Sequence, residues 1–294
     1  MEEKKEYQVE KVVKRDTIQG MLQDVTVKKR FEDMLGKKAA GFMSSIISAT
    51  NANSQLSKAE PMSIIRAAAI AAALDLPINP SLGFAHIVPY KKDGDPIAQF
   101  QMGWKGFVQL ALRTGQYKTI NATPVFEGEL QSKNRFTGEM VFDETRKTSD
   151  KIVGYVAYFK LINGFEKWLY MGSEEVKAHG KRYSQSYATP KGKWQTDFEN
   201  MALKTVLKML LSKYGVLSIE MQTAILGDQA VVKKDGEYEY PDGKGEIIEA
   251  EEVTTNAERL TDRLNSDKKD CPKGGIVDPE ICKSCADRNA ECPK

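Results

Sequence analysis

FAHIVPYKKDGDPIAQFQMGWKGFVQLALRTGQYKTINATPVFEGE, residues 84–129, holds the change of period that decides the fold. Two β-rich runs, 84–90 and 97–102, flank Asp93-Gly94, a dipeptide suited to a two-residue hairpin turn. Pro96 stands at the edge of that turn, where its missing N–H costs no ladder hydrogen bond. From Trp104 the period becomes helical, with Trp104, Phe107, Val108 and Ala111 on one apolar face. Lys105, Gln109 and Arg113 recur every fourth residue on another face, a ridge of cation, amide and cation. An ordinary solvated face is the plainer reading of that spacing, and a phosphate-reading ridge is the alternative. Gly115 is a natural C-cap, and 117–126 returns to strand.

Upstream, 27–49 is expected to be one basic helix carrying Phe31, Leu35, Phe42 and Ile46, and residues 1–26 a charged arm. Ser57-Lys58-Ala59-Glu60 has the form of a capping box ahead of a helix over 62–74 that is apolar on nearly every side and therefore buried. Downstream, 128–138 is polar enough for a loop, and 152–161 is apolar on both faces, as in a central strand. Asn163-Gly164 turns it back into 165–171, and Ser173 is placed to cap a short helix. A cationic loop over 180–193 leads to a long helix over 194–214. That helix has a narrow polar stripe containing Lys204 and Lys208, held on a rigid element. The fold class is α+β: a small antiparallel sheet with a β-hairpin, packed against several helices, plus a C-terminal tail.

The net charge of +2 hides an asymmetry: residues 228–294 carry 17 acidic and 11 basic side chains, and 1–227 carry 24 and 32. A basic body with an acidic tail points to a polyanion as the body's partner. The expected organisation is an arm over 1–26, a basic core over 27–227, and a tail over 228–294. No apolar run is long enough for a membrane span, and the N-terminus lacks a signal-peptide core, so a cytoplasmic protein with no membrane partner is expected.

Cys271, Cys282, Cys285 and Cys292 in the tail include one C-x-x-C knuckle. They suit a zinc site, an iron–sulfur cluster, or four reduced thiols. There is no P-loop, no dinucleotide fingerprint and no nucleophile elbow. The paired carboxylates Glu127/Glu129 and Asp143/Glu144 leave a metal-dependent nuclease as a minor reading beside plain solvated loops. His86 and His179 are expected to be structural, and no catalytic constellation is found.

Cations recur beside aromatics at Tyr90-Lys91-Lys92, Trp104-Lys105, Lys181-Arg182-Tyr183 and Lys193-Trp194. Cations along a groove edged by π-faces are what a sequence-tolerant single-strand binder needs. Three stretches then resemble one family. They are QMGWKGF at 101–107 running into LALRTGQYK at 110–118, LPINP at 76–80 leading to VPY at 88–90, and Trp194 with FENMALKT at 198–205. In this order and spacing they resemble the RecT family of phage single-strand annealing proteins, most closely members from Gram-positive hosts, over about residues 30–226.

The resemblance implies an ATP-independent protein that binds single-stranded DNA by its backbone and pairs it with a complementary strand to give duplex in homologous recombination. It implies that the core over 27–227 is for DNA binding and oligomerisation. It implies a homo-oligomer, ring or helical filament, working in the bacterial host cytoplasm beside a 5′–3′ exonuclease and the host single-strand-binding protein. No cofactor is required, and magnesium is expected to assist annealing. The alternative is a scaffold that protects single strands without annealing them. The expected DNA contacts are Lys105, Gln109, Arg113, Lys204 and Lys208 on helices, and Lys91, Lys92, Arg146, Lys147, Arg182, Lys191 and Lys193 on loops. Trp104 is a candidate base stacker, although core packing is the plainer use of both Trp104 and Trp194. Four phosphates neutralised per subunit would give a log K against log salt slope of roughly −3.

Overall fold

In β1 (Ala85–Lys92) and β2 (Asp95–Met102) the two β-rich runs pair antiparallel from Ala85↔Met102 to Lys92↔Asp95, leaving two residues for the connection. The computed structural model describes residues 17–92, 95–190, 192–233, 236–240, 269–271 and 275–277. Ahead of the hairpin come α1 (Ile18–Gln23), α2 (Val25–Leu35), α3 (Ala39–Ala52) and α4 (Pro61–Ala73). After it come α5 (Trp104–Arg113), β3 (Tyr117–Phe126), β4 (Leu130–Lys133), β5 (Met140–Phe142), β6 (Ile152–Leu161) and β7 (Glu166–Gly172). The chain continues through α6 (Ser173–Tyr183), α7 (Lys193–Thr196), α8 (Phe198–Tyr214) and α9 (Ile219–Gly227) to the short pair β8 (Val231–Val232) and β9 (Tyr238–Glu239).

Two small sheets each acquire a helix. The buried α4 lies on the hairpin, where Glu60 N–H donates to Pro96 O and Ala98 N–H donates to the buried Ser63 Oγ at 2.8 Å. The second sheet has the order β3-β6-β7, all antiparallel, so 152–161 is the central strand. Its Tyr155, Ala157 and Phe159 are buried, and α8 packs on this sheet with Phe198 6.0 Å from Tyr155. On the other side Tyr158 stacks on Trp168 at 4.0 Å, and Tyr170 covers Gly154, where a Cβ would meet the ring carbons at 2.5 Å. Helix α5 joins the two parts by packing on α8 and α9.

Several boundaries differ from expectation for identifiable reasons. The helix over 27–49 is broken at Gly36, whose φ of +54° ends α2 and starts a 3-10 turn before α3. Residues 17–26 belong to the body rather than to an arm: Asp24 caps α2, and Leu22 is buried. The capping box at 57–60 does not form, because 56–58 make a 3-10 turn and Pro61 takes the first helical position of α4. Ser173 donates to Ile152 O, while Gly172 is the N-cap of α6 and its N–H is held by Glu175 Oε2 at 2.7 Å. Helix α6 takes up the first residues of the expected loop over 180–193, and Asp197 interrupts the expected helix over 194–214 between α7 and α8. The polar stretch 128–138 contains β4, paired with β5.

The composition changes at Asp228, but the compact unit runs on to Lys244. Asp228, Ala230 and Val231 are buried, and Gln229 N–H donates to Phe100 O at 3.0 Å. Of the second unit, 245–294, the described part is a strand pair, β10 (Lys269–Cys271) with β11 (Gly275–Val277). The sequence also allows a short helix over 253–264, which lies outside the described residues.

Candidate nucleic-acid interface

The three stretches that carry the family resemblance meet in one open groove of about 250 Å³. Pro80, His86 and Val88 form one wall, Gly103, Trp104 and Lys105 the next, and Lys193, Asp197, Asn200 and Lys204 the third. Gly103 and Gly106 make this meeting possible. A Cβ on Gly103 would lie 1.9 Å from Gly83 O, and one on Gly106 would lie 2.2 Å from Phe84 O. Gly103 N–H also donates to Phe84 O at 2.8 Å, so the start of α5 is pressed against the entry to β1. The G-W-K-G spacing thus lets backbone touch backbone while Trp104 and Lys105 face outward.

The ring of Trp104 is half-buried, its indole N–H donates to Asn200 Oδ1 at 3.0 Å, and Asn200 donates in turn to Asp197 at 2.7 Å. This leaves a fixed aromatic edge on the groove with Lys105 Nζ 6.0 Å from the ring centroid. Lys193 is exposed at the start of α7, beside the buried Trp194. Trp194 packs on Tyr187, Phe198 and Gly180, so it serves the core. His86 is pushed down to about 4 by burial and by the nearby Lys204 and Lys193, with Asp197 opposing, so it lines the groove as a neutral ring at pH 7.

The remaining sequence candidates separate. Lys204 and Lys208 are both held by one carboxylate: Asp228 accepts from each at 2.7 Å and from Met102 N–H at 2.9 Å. The Lys204 side chain is 8% exposed and that of Asp228 is fully buried. Burial pushes the Asp228 carboxyl up, but the two ammonium groups outweigh it and hold the group below its usual range. Lys204, the deeper of the two cations sharing that carboxylate, is pulled down by the same burial. These lysines are held at fixed positions, as expected, and both share Asp228 as counter-ion, because a buried charge needs a partner. An aspartate between the apolar runs AILG and AVV was the signal for this.

Arg113 is also engaged, donating to Leu74 O at 2.7 Å and Asp75 O at 2.8 Å, where it caps the end of α4. It lies two turns from Lys105 and outside the groove lining, as does Gln109. Arg146 pairs with Asp143 and Gln131, Lys147 pairs with Asp150 and lies over Phe126, and Arg182 lies over Tyr183. None of these three lines the groove. The side chains of Lys91 and Lys92, all of Lys191, and the thiols of Cys271, Cys282, Cys285 and Cys292 lie outside the described residues. The acidic pairs are engaged in turns: Glu129 accepts from Phe126 N–H, Glu127 from Ser149, and Asp143 from Thr145.

A hairpin, the helix after it and the first turns of a long helix thus define an α+β protein with a groove edged by cations and an aromatic ring. The RecT family model matches residues 40–266, and the chain belongs to that family. It is 44% identical over 265 residues to the uncharacterized protein YqaK of Bacillus subtilis strain 168, covering 90% of each chain. It is 30% identical over 179 residues to Protein RecT of Escherichia coli K12, covering 59% of this chain and 65% of that one. Among the described residues no helix is long and apolar enough to cross a membrane.

Proposed function

We propose that this chain is an ATP-independent annealing protein of homologous recombination that holds single-stranded DNA by its backbone in the groove between the hairpin, α5 and α8. Family membership supports single-strand annealing in recombination. The observation that carries the finer reading is the convergence of the three family-bearing stretches on one groove with two exposed cations, Lys105 and Lys193, and a fixed Trp104 edge. Ammonium groups there offset phosphate repulsion without reading base edges, so Watson–Crick pairing with a second strand supplies the selectivity. Magnesium would assist by screening the two backbones. The protein acts as a homo-oligomer, ring or filament, beside a 5′–3′ exonuclease and the host single-strand-binding protein, and makes no bonds itself.

With Lys204 neutralised by Asp228, two groove phosphates per subunit remain to be paired. The expected salt slope is then about −1.4 per subunit, not the −3 of four contacts. The test uses two fluorescently labelled complementary oligonucleotides. The protein should speed duplex formation, and Lys105→Glu with Lys193→Glu should lower strand affinity at least about tenfold at low salt while the melting temperature holds. A protein that slows duplex formation is a strand protector; unchanged affinity in the double variant removes the groove.

A further inference from the structure

The geometry points to a second DNA contact, resting on the single-strand reading above: the β4–β5 tip presents Phe136 as a stacking wedge for a nucleobase. Phe136 is 84% exposed, more than any other large apolar side chain among the described residues. Its backbone is nevertheless fixed. Asn134 Oδ1 accepts from Phe136 N–H at 3.0 Å and from Thr137 N–H at 3.3 Å, and Asn134 exchanges two backbone hydrogen bonds with Gly138 and Glu139.

The tip is also anchored from below. Lys167 on β7 donates to Thr137 O at 3.0 Å, and Phe142 on β5 packs against Trp168 at 5.4 Å. Gly138 has φ +75°, and a Cβ there would come within 2.6 Å of Lys167 Nζ, so glycine admits the anchor. A mostly exposed phenyl ring on a backbone held this firmly has little to do for the fold, since it buries little area.

The surroundings select the occupant. The Arg135 guanidinium lies 4.7 Å from the Phe136 ring centroid, Lys133 lies over Tyr170 at 5.4 Å, and Lys167 is beneath the tip. A docking site for a protein has a contiguous apolar centre. Here one aromatic ring stands among cations, with Glu139 as the acid of the turn and Val141 as the other exposed apolar side chain of the hairpin. A π-face flanked by cations matches a partner that alternates flat bases with phosphates, which is a single strand of nucleic acid. The site is separate from the groove. Lys167 also lies over Tyr214, at the last residue of α8, whereas the groove uses Asn200 near its start, fourteen residues away. That is about 21 Å of helix. A strand gripped at the groove and wedged at the tip would be held at two points, with the bases between them free to pair.

The experiment measures affinity of the full chain for a mixed-sequence oligonucleotide and for one of equal length with abasic sites. Wild type should prefer the base-bearing strand. Phe136→Ala should lower affinity for it at least about fivefold, the low end for one stacked base, and leave abasic affinity and melting temperature unchanged. Phe136→Trp should restore the preference. Equal loss on both strands, or no loss on either, overturns the wedge while groove binding by wild type still stands. Loss of self-association in Phe136→Ala with DNA affinity intact assigns the ring to a protein contact and overturns it as well. If wild type binds neither strand, both the wedge and the groove fall.

Discussion

Replacing Asp228 by alanine should be among the most damaging single changes away from the groove surface. The side chain is fully buried and joins Lys204, Lys208 and Met102 N–H, so it ties α8 to the end of the hairpin. Its removal leaves the buried Lys204 ammonium without a counter-ion and a buried N–H without an acceptor. Breaking a buried pair from one side costs about 3–5 kcal/mol. In a body of this size each kcal/mol moves the melting temperature by about 2–4 °C, so a loss of about 4 kcal/mol lowers it by about 8–16 °C. Denaturant titration of Asp228→Ala gives the free energy directly. Asp228→Leu combined with Lys204→Met should recover more than half of the loss, because an apolar pair of similar volume has no charge to desolvate. The carboxyl is held below its usual value, so its contribution is complete above about pH 4 and is lost as pH falls through the folded-state value. Wild type should therefore show an acid-sensitive stability that the double variant lacks. A loss under about 1 kcal/mol in Asp228→Ala, or additive losses in the double variant, would refute the node.

The two ends of the α5 ridge should behave oppositely. Arg113→Ala loses two hydrogen bonds from a charged donor to the end of α4 and should cost about 1.5–3 kcal/mol with little change in strand affinity, whereas Lys105→Ala should weaken binding and leave stability intact. Calorimetry beside a binding isotherm separates them, and the reverse pattern would place the strand at Arg113. His86 should titrate at about 4 in NMR spectra of the free protein. Because the unfolded chain takes up that proton near pH 6.5 and the folded one only near 4, stability contributed by the neutral ring is lost as pH falls across that window. A His86 transition at 6 or above would mean that the groove wall is more open than described.

The sequence by itself determined the elements and the family. Asp93-Gly94 with alternating neighbours has one good conformation, and the change from period two to period 3.6 at Trp104 marks hairpin from helix, so β1, β2, α5, β3 and β6 fall where local chemistry puts them. The order of three short motifs was enough to place the chain in its family. Only the tertiary structure decided which cations are free. Lys105 and Arg113 share a helix face and Lys193 and Lys204 flank one segment, yet in each pair one meets solvent and the other meets a partner 38 or 24 residues distant in sequence. An ion pair or a helix cap made across such separations leaves no period in the chain. The same holds for Phe136: a polar loop and a rigid aromatic tip read alike until Asn134 and Lys167 are seen to hold it.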